Sequence, residues 1–326
     1  PTRVAEAPLI PQIPPWHNPM DADMKTYETS PSWLRYRALL DECFAIRIER
    51  KPVETWRQIR GHSIHVDEWQ AARPKGTLIL VHGGGGNGRI LAPCGDVAAS
   101  LGWRALAPDL PGYGLTTPAP GFRWDYDEWP AVIAALADQT EGPVVLMGLS
   151  VGGMTAVFAA EEARQVQGVI ATTLLDMGDP ATFVKAARWP WLGAASLLGF
   201  RMTPWIADRI ALPLRLAAPM HAMSSDPRMQ DYFMHDTLLG SMRVPARFFR
   251  TMHARKAVTL APRCPLLLAH PGADAWTPTA LSRPGFDKIQ GEKQFVELTN
   301  GSHLPAERPA FDELRGHIER FLAARA

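Results

Sequence analysis

Cysteine is scarce in this 326-residue chain: there are three, Cys43, Cys94 and Cys264, far apart and odd in number. No CxxC or other metal-ligand spacing joins them. That removes a disulfide framework and a zinc site, and leaves reduced thiols, as expected of a cytoplasmic protein. No apolar run reaches the roughly 18 residues of a membrane span. The net charge is only +1, so no overall basic excess favours nucleic acid as a partner. There is no G-x-x-x-x-G-K-[ST] loop to cradle a nucleotide phosphate. The first twenty residues, PTRVAEAPLIPQIPPWHNPM, are broken by prolines and lack the continuous apolar core of a secretory leader. A leader already removed would leave no trace. No stretch repeats internally.

What the chain does have is an ordinary globular composition, 46% apolar and 21% charged. Its length fits one large domain, or a domain carrying a sizeable insertion. Residues 1 to about 30 are Pro-rich and read as an irregular arm. Pro31 to Arg50 reads as a helix that Ser30 can cap, with Trp33, Leu34, Leu39, Leu40 and Phe44 on its buried face. TWRQIRG and HSIHVDEW alternate like two strands of a hairpin around Gly61 and His62. Then one unit recurs: a short apolar run, a glycine-rich turn, a helix. GTLILVHGGGG, WRALAPDLPGYG, GPVVLMGLSVGG and VQGVIATTLLD are the first four runs, and CPLLLAHPGAD and KQFVELTNGSH come much later. Continuous rather than alternating apolar runs fit strands buried on both faces. The expected class is therefore α/β, a mostly parallel sheet covered by helices.

Residues 177–256 interrupt this pattern. They contain helix starts, such as Thr203-Pro204 and Asp226-Pro227, but no strand-like run. Counted from Asp176 to Lys256, eight of the 12 methionines fall here, with eleven Lys and Arg against six Asp and Glu. An inserted helical cap is expected, with about half of its methionines and aromatics lining an adaptable apolar pocket and the rest forming the cap's own small core. If its basic side chains face the entrance, they would favour anionic substrates. The core is then 54–176 and 257–326, preceded by the arm and helix of residues 1–53.

GLSVG, at 148–152, matches G-x-S-x-G, with an apolar strand before it and a helix-forming run after it. A serine on such a strand-to-helix turn has its hydroxyl lifted clear of the sheet, beside the positive end of a helix. A serine hydroxyl is a poor nucleophile at neutral pH. It needs a base, and the base needs a group that fixes its tautomer. Of the ten histidines, His303 is best placed, on a loop after the last strand-like run. His317 reads as a surface residue of the closing helix, and His221, His235 and His253 belong to the insertion. His62 and His65 have the spacing of a metal pair but no evident third ligand. For the orienting acid, Asp274 follows the LLLAH strand and gives the order Ser150, Asp274, His303. Asp176, with Asp179 close behind, is the rival. Asp109 precedes the serine and reads as a turn stabiliser. The Val151 N–H, just after the serine, and the N–H groups of the HGGGG loop are candidate donors to an oxyanion. No metal or cofactor is required by this constellation.

HGGGG (82–86), DLPGYG (109–114), GLSVGG (148–153), Asp274 and His303, in that order, resemble the α/β-hydrolase family. The resemblance runs from about Glu54 to Leu322 and leaves residues 1–53 outside. It implies an α/β-hydrolase fold with a helical cap, closest to lipase-like and lysophospholipase-like esterases with an HG-x-G loop. Matched position by position, it puts the second oxyanion donor at Gly84. The fourth glycine extends the usual pattern and leaves Gly83 and Gly85 open for that role. A serine rather than an aspartate nucleophile argues against the dehalogenase and epoxide-hydrolase branches. The implied activity is cleavage of a small-molecule carboxylic ester with an apolar part. A lactonase, an amidase, an acyl transferase or a non-turnover ligand receptor could use the same constellation. Oligomeric state and substrate identity stay open.

Overall fold

A computed structural model describes residues 26–257 and 260–326. The arm expected over residues 1 to about 30 lies almost wholly outside the described residues. The first helix, α1 (Pro31–Phe44), stops six residues short of the expected Arg50. Ala45 takes a left-handed conformation (φ 52°) and turns its N–H back to the Asp41 and Leu40 carbonyls. Ser30 stands at the cap position without capping, its hydroxyl buried and unbonded. On the buried face Tyr36 takes the place expected of Leu34, which is exposed.

All six apolar runs are strands, and both halves of the hairpin are too. β1 (Val53–Ile59) and β2 (His62–Trp69) pair antiparallel around Arg60 and Gly61. Both turn residues have positive φ, as a two-residue hairpin requires. β3 (Thr77–Val81), β4 (Arg104–Pro108), β5 (Val144–Gly148) and β6 (Val166–Ala171) follow. The eight-stranded sheet has the order β1-β2-β4-β3-β5-β6-β9-β10. It is parallel from β4 onward and antiparallel where β2 meets β4. Its last two strands are β9 (Leu266–Pro271) and β10 (Lys293–Leu298).

Helices α2 (Ala92–Ser100) and α12 (Ala310–Ala323) pack together and on the sheet. So do α3 (Glu128–Asp138) and α4 (Val151–Glu162). Every residue of β3, β5 and β9 is buried, which requires cover on both faces. From β3 the chain crosses to β4 on one side and then to β5 on the other. The carboxyl ends of β3 and β5 therefore flank a topological switch point, where open α/β sheets hold their ligands.

β6 and β9 are direct neighbours in the sheet, with Val169 opposite Leu266. The chain between them leaves the sheet altogether. It forms α5 (Pro180–Ala186), α6 (Pro190–Met202), α7 (Pro204–Ala207), α8 (Leu214–Ala217), α9 (Pro227–His235) and α10 (Ala246–Ala254). Two three-residue strands, β7 (Ala211–Pro213) and β8 (Arg243–Pro245), pair there, contrary to the all-helical expectation. They are too short, and too close to proline, to leave a strand pattern in the sequence. Asp226 caps α9 by accepting from the Arg228 and Met229 N–H groups. Thr203 caps nothing, because its hydroxyl donates back to the Gly199 carbonyl. α11 (Thr279–Lys288) then crosses from β9 to β10.

Candidate active site

Ser150 stands at the junction of β5 and α4 with φ 58° and ψ −133°, a conformation that costs a non-glycine residue a kcal/mol or more. The turn is held by hydrogen bonds from Leu149 N–H to the Val81 carbonyl (3.0 Å) and from Gly152 N–H to the Leu149 carbonyl (2.8 Å). It is also too tight for side chains. A Cβ on Gly152 would stand 2.3 Å from the Val81 carbonyl oxygen, and one on Gly153 2.0 Å from that of Thr173. The small residues around the serine are thus a steric requirement of the turn.

His303 follows β10 and is fully buried. Its Nδ1 lies 2.8 Å from Asp274 Oδ2. Asp274 also accepts from the Thr277 hydroxyl (2.7 Å) and from the N–H groups of Thr277 (2.8 Å) and Trp276 (2.9 Å). Burial alone would raise the Asp274 pKa. The His303 charge and these donors more than offset it and hold the carboxyl well below the usual range. An ionised, acceptor-only partner fixes the proton on Nδ1. The His303 Nε2 is left buried and without a hydrogen-bond partner, the nitrogen that in a neutral ring would carry the free lone pair. Trp276 packs on the ring with centroids 4.5 Å apart. Glu307 holds the loop from below, accepting from the Ser302 N–H and hydroxyl and, across the molecule, from Ser225 of the insertion. Thr277 and Glu307 were not singled out from the sequence. The Asp-x-x-Thr spacing of an Asx-type turn in GADAWTP was the available signal for Thr277.

The rival acid, Asp176, is buried but engaged elsewhere. Lys288 Nζ lies 2.5 Å from its Oδ2, and the Gly178 N–H binds Oδ1 at 3.0 Å. Asp179 caps α5 through the Thr182 N–H and hydroxyl. His253 is bound through Nδ1 to the Met177 carbonyl and His235 to Asp231, while His221 is exposed. His317 is partly exposed beside Arg320.

The HGGGG loop leaves the end of β3. His82 is buried, and burial pushes its pKa down, so the ring is neutral. Its Nε2 accepts from the Leu110 N–H at 2.9 Å, so the proton is on Nδ1, which donates to the Gly83 carbonyl at 2.8 Å. A planar trans peptide points its N–H opposite its C=O. With the Gly83 carbonyl held by His82, the Gly84 N–H is aimed away from that ring. Gly84 lies against Val151, whose Cγ2 would be 3.8 Å from a Cβ placed on it. Within the described fold neither the Gly84 nor the Val151 N–H donates a backbone hydrogen bond. Gly85 has φ +77° and shapes the turn.

Asp109 does stabilise its turn, and it does more. Its Oδ1 accepts from the Gly88 N–H (2.7 Å), and its Oδ2 from the Leu115 N–H (2.7 Å) and the Tyr27 hydroxyl (2.8 Å). Residues 109 and 110 thus clamp both ends of the glycine loop, Asp109 through Gly88 and Leu110 through His82. Behind the clamp lies His65, with Nδ1 3.1 Å from Asp109 and Nε2 3.0 Å from Glu54. The Nε2 hydrogen-bonds Glu54, and the Nδ1 lies against the Asp109 carboxylate without a hydrogen bond of its own, a setting of three carboxylates that favours the imidazolium. Arg89 grips Asp67 with two 2.6 Å hydrogen bonds. Glu54, His65 and Asp67 lie close enough to share a cation. The guanidinium of Arg89 already supplies that charge, so the cluster is an ion-pair network rather than a metal site. His62 takes no part in it, since its Nδ1 accepts from the Ala119 N–H.

A cavity of about 120 Å³ opens beside Gly84, Ser150 and Val151 and extends beneath the insertion. Its walls include Phe183, Leu192, Phe200, Phe248 and Trp276 and, among the described residues, no charged one. Of the insertion's methionines Met177 and Met252 line it, and Met220 and Met223 line a smaller cavity beside Ser150 and the glycine loop. Met229 and Met242 are buried in the insertion's own core. Nor do the insertion's basic side chains form a free positive rim. Arg247 and Arg250 converge on Asp208, Arg255 bridges Asp127 and Glu162, and Arg188 holds the Arg215 carbonyl. Much of the local excess is spent on bracing the insertion.

The model of the alpha/beta hydrolase family matches residues 78–311. The chain is 41% identical over 118 residues to the biotin biosynthesis bifunctional protein BioHC of Cellvibrio japonicus, covering 35% of this chain and 20% of that one. It is 28% identical over 163 residues to the pimeloyl-[acyl-carrier protein] methyl ester esterase of Aliivibrio salmonicida, covering 50% and 58%. The chain thus spans less than two thirds of the length of these relatives. The monoacylglycerol lipase of Paleococcus ferrophilus shares the fold with a TM-score of 0.61 at 20% identity, over 80% of this chain and 99% of that one.

Proposed function

The chain belongs to the alpha/beta hydrolase family, and from that we propose that it hydrolyses carboxylic esters through an acyl-enzyme. Ser150 is the nucleophile, His303 the general base and then acid, and Asp274 the group that orients the imidazole and stabilises its charged form. As Ser150 Oγ attacks the ester carbon, His303 Nε2 takes its proton. The tetrahedral oxyanion is met by the N–H groups of Gly84 and Val151, the latter at the positive end of α4. Collapse expels the alcohol, which receives the proton from Nε2. Water, deprotonated by the same nitrogen, then attacks the acyl-enzyme and frees the acid. No metal or cofactor enters any step.

The observation that carries this reading is the state of His303. Its Nδ1 is committed to an ionised Asp274, its Nε2 is buried without a hydrogen-bond partner, and Trp276, which packs on its ring, lines the same cavity as Ser150. Residues 177–256 act as the cap over a core of 54–176 and 257–326. The uncharged cavity suits a neutral acyl or alcohol group. The relatives named as esterases support the same reaction class.

The test is hydrolysis of a short p-nitrophenyl ester by wild type and Ser150→Ala, with fluorophosphonate labelling mapped by mass spectrometry. Turnover that disappears in the variant, with label on Ser150 alone, is expected. Label on another serine, or undiminished turnover in the variant, overturns the assignment.

A further inference from the structure

Twelve large hydrophobic side chains are exposed among the described residues, and nine of them lie between Trp189 and Leu216. The most exposed are Trp191 (67%), Leu198 (64%), Met202 (68%) and Trp205 (63%). Scattered singly they would need no explanation, but such a concentration does. Helix α6 shows how it arises. Trp191, Ala194, Ala195, Leu198, Arg201 and Met202 are exposed and recur at helical spacing, so they form one outward stripe. Leu192, Gly193, Ser196 and Phe200, on its other side, line the cavity over Ser150. The helix is therefore apolar on both faces. One faces the pocket, and the other faces out of the protein.

The patch continues beyond α6. Ile206 and Ile210 extend it past α7, and Leu216 on α8 is joined to it where the Arg188 N–H binds the Ala217 carbonyl. Tryptophans sit among arginines throughout. Arg188 lies over the Trp189 ring at 4.8 Å and Arg209 over the Trp205 ring at 5.9 Å. Residues 180–225 carry five Lys and Arg and a single acid, Asp208, which is already bound by Arg247 and Arg250. Exposed indoles and aliphatic side chains amid uncompensated arginines are the composition of a surface that settles into the headgroup layer of a bilayer.

We propose that the outer face of α6 to α8 is a docking surface for an anionic phospholipid bilayer. Apolar side chains enter the acyl boundary while the arginines remain among the phosphates. The charge also argues against a second copy of this chain as the occupant. An isologous contact would set the same basic patch against itself, whereas lipid phosphates complement it. Docked this way, only the thickness of α6 separates the bilayer from the cavity, so an apolar molecule would pass from lipid to pocket without crossing water.

The experiment measures binding rather than turnover, so it stands apart from the hydrolytic reading. The full chain carrying Ser150→Ala is sedimented with phosphatidylcholine vesicles containing about 30 mol% phosphatidylglycerol, an anionic surface that attracts basic segments. Expected results are binding with a blue shift of tryptophan emission, weaker binding to pure phosphatidylcholine, and a large loss at about 0.5 M salt. The Leu198→Asp, Met202→Asp double variant should bind on the order of 100-fold more weakly at an unchanged Tm. Trp191→Ser, which adds no charge, should weaken binding in the same direction. Failure of the parent to bind, or undiminished binding by both variants, overturns the proposal. So does a concentration-dependent dimer that these variants dissociate in the absence of any vesicle binding.

Discussion

Replacing Asp109 by asparagine keeps the shape of the side chain and removes its charge, which makes it a sharp test of the clamp on the glycine loop. In the native fold two oxygens accept from three donors and face a buried imidazolium. Asparagine has one acceptor oxygen. Its least damaging orientation keeps the oxygen toward Leu115, Tyr27 and His65 and turns the NH₂ toward the Gly88 N–H, donor against donor. An unsatisfied buried donor costs about 1–3 kcal/mol. His65 adds a second term. Burial alone would lower its pKa, but the Asp109 charge, the Glu54 hydrogen bond and the Asp67 charge raise it to about 10. At about 1.4 kcal/mol per unit, that rise from 6.5 represents on the order of 5 kcal/mol across the carboxylates. Asp109, the leading contributor, accounts for roughly 2 of it. The variant should therefore lose about 3–5 kcal/mol, a large part of a typical stability of 5–15 kcal/mol.

The assay is urea unfolding of wild type and Asp109→Asn at pH 7 and at pH 10.5. A group whose folded pKa is raised contributes stability fully present below its unfolded pKa of 6.5 and lost as the pH rises through about 10. The gap between the proteins should thus narrow at the higher pH, leaving mainly the Gly88 term. Because Gly88 anchors the far end of the glycine loop, kcat should fall more than KM rises. A variant within 1 kcal/mol of wild type at pH 7, or a gap unchanged at pH 10.5, refutes the reasoning.

Asp274→Asn should lower kcat roughly 10⁴-fold by favouring the wrong imidazole tautomer. Asp176→Asn, which disturbs only the Lys288 pairing, should cost activity far less, and paired steady-state kinetics would expose the opposite ranking. Glu54 has its folded pKa lowered to about 2, against the pull of burial, by His65 and its other donors. Its share of stability should be complete above about 4.5 and fade as the pH falls toward 2, read as an acid shift in Tm that Glu54→Gln removes. A neutral p-nitrophenyl ester should be turned over with higher kcat/KM than an isosteric anionic one at low ionic strength, since the cavity walls carry no charge. A preference for the anionic ester that vanishes with salt would mean that the braced arginines steer substrate after all.

Much of the fold was legible because the central sheet strands are buried on both faces, although the edge strand β10 is only half-buried. That condition forces continuous apolar runs, and all six became strands. The candidate site was legible for a related reason. Tight turns at strand ends need glycine on steric grounds, and those glycines mark where Ser150 and the HGGGG loop stand. Partners that act across the fold left no local signal. Glu307 reaches Ser225, Asp109 reaches Gly88 and His65, and nothing in sequence spacing pairs them. The insertion misled in a more instructive way. Its +5 excess, counted from Asp176 to Lys256, suggested a positive entrance, but composition cannot say which arginines are already paired. Arg247, Arg250 and Arg255 are bound to carboxylates, three of which, Asp125, Asp127 and Glu162, belong to segments outside the insertion. α6 hid its nature for the opposite reason. A helix apolar all round reads as buried, and only its position shows that one side faces Ser150 and the other faces outward. The charge expected at the pocket mouth and the apolar face expected inside therefore meet on the outer surface of α6 to α8.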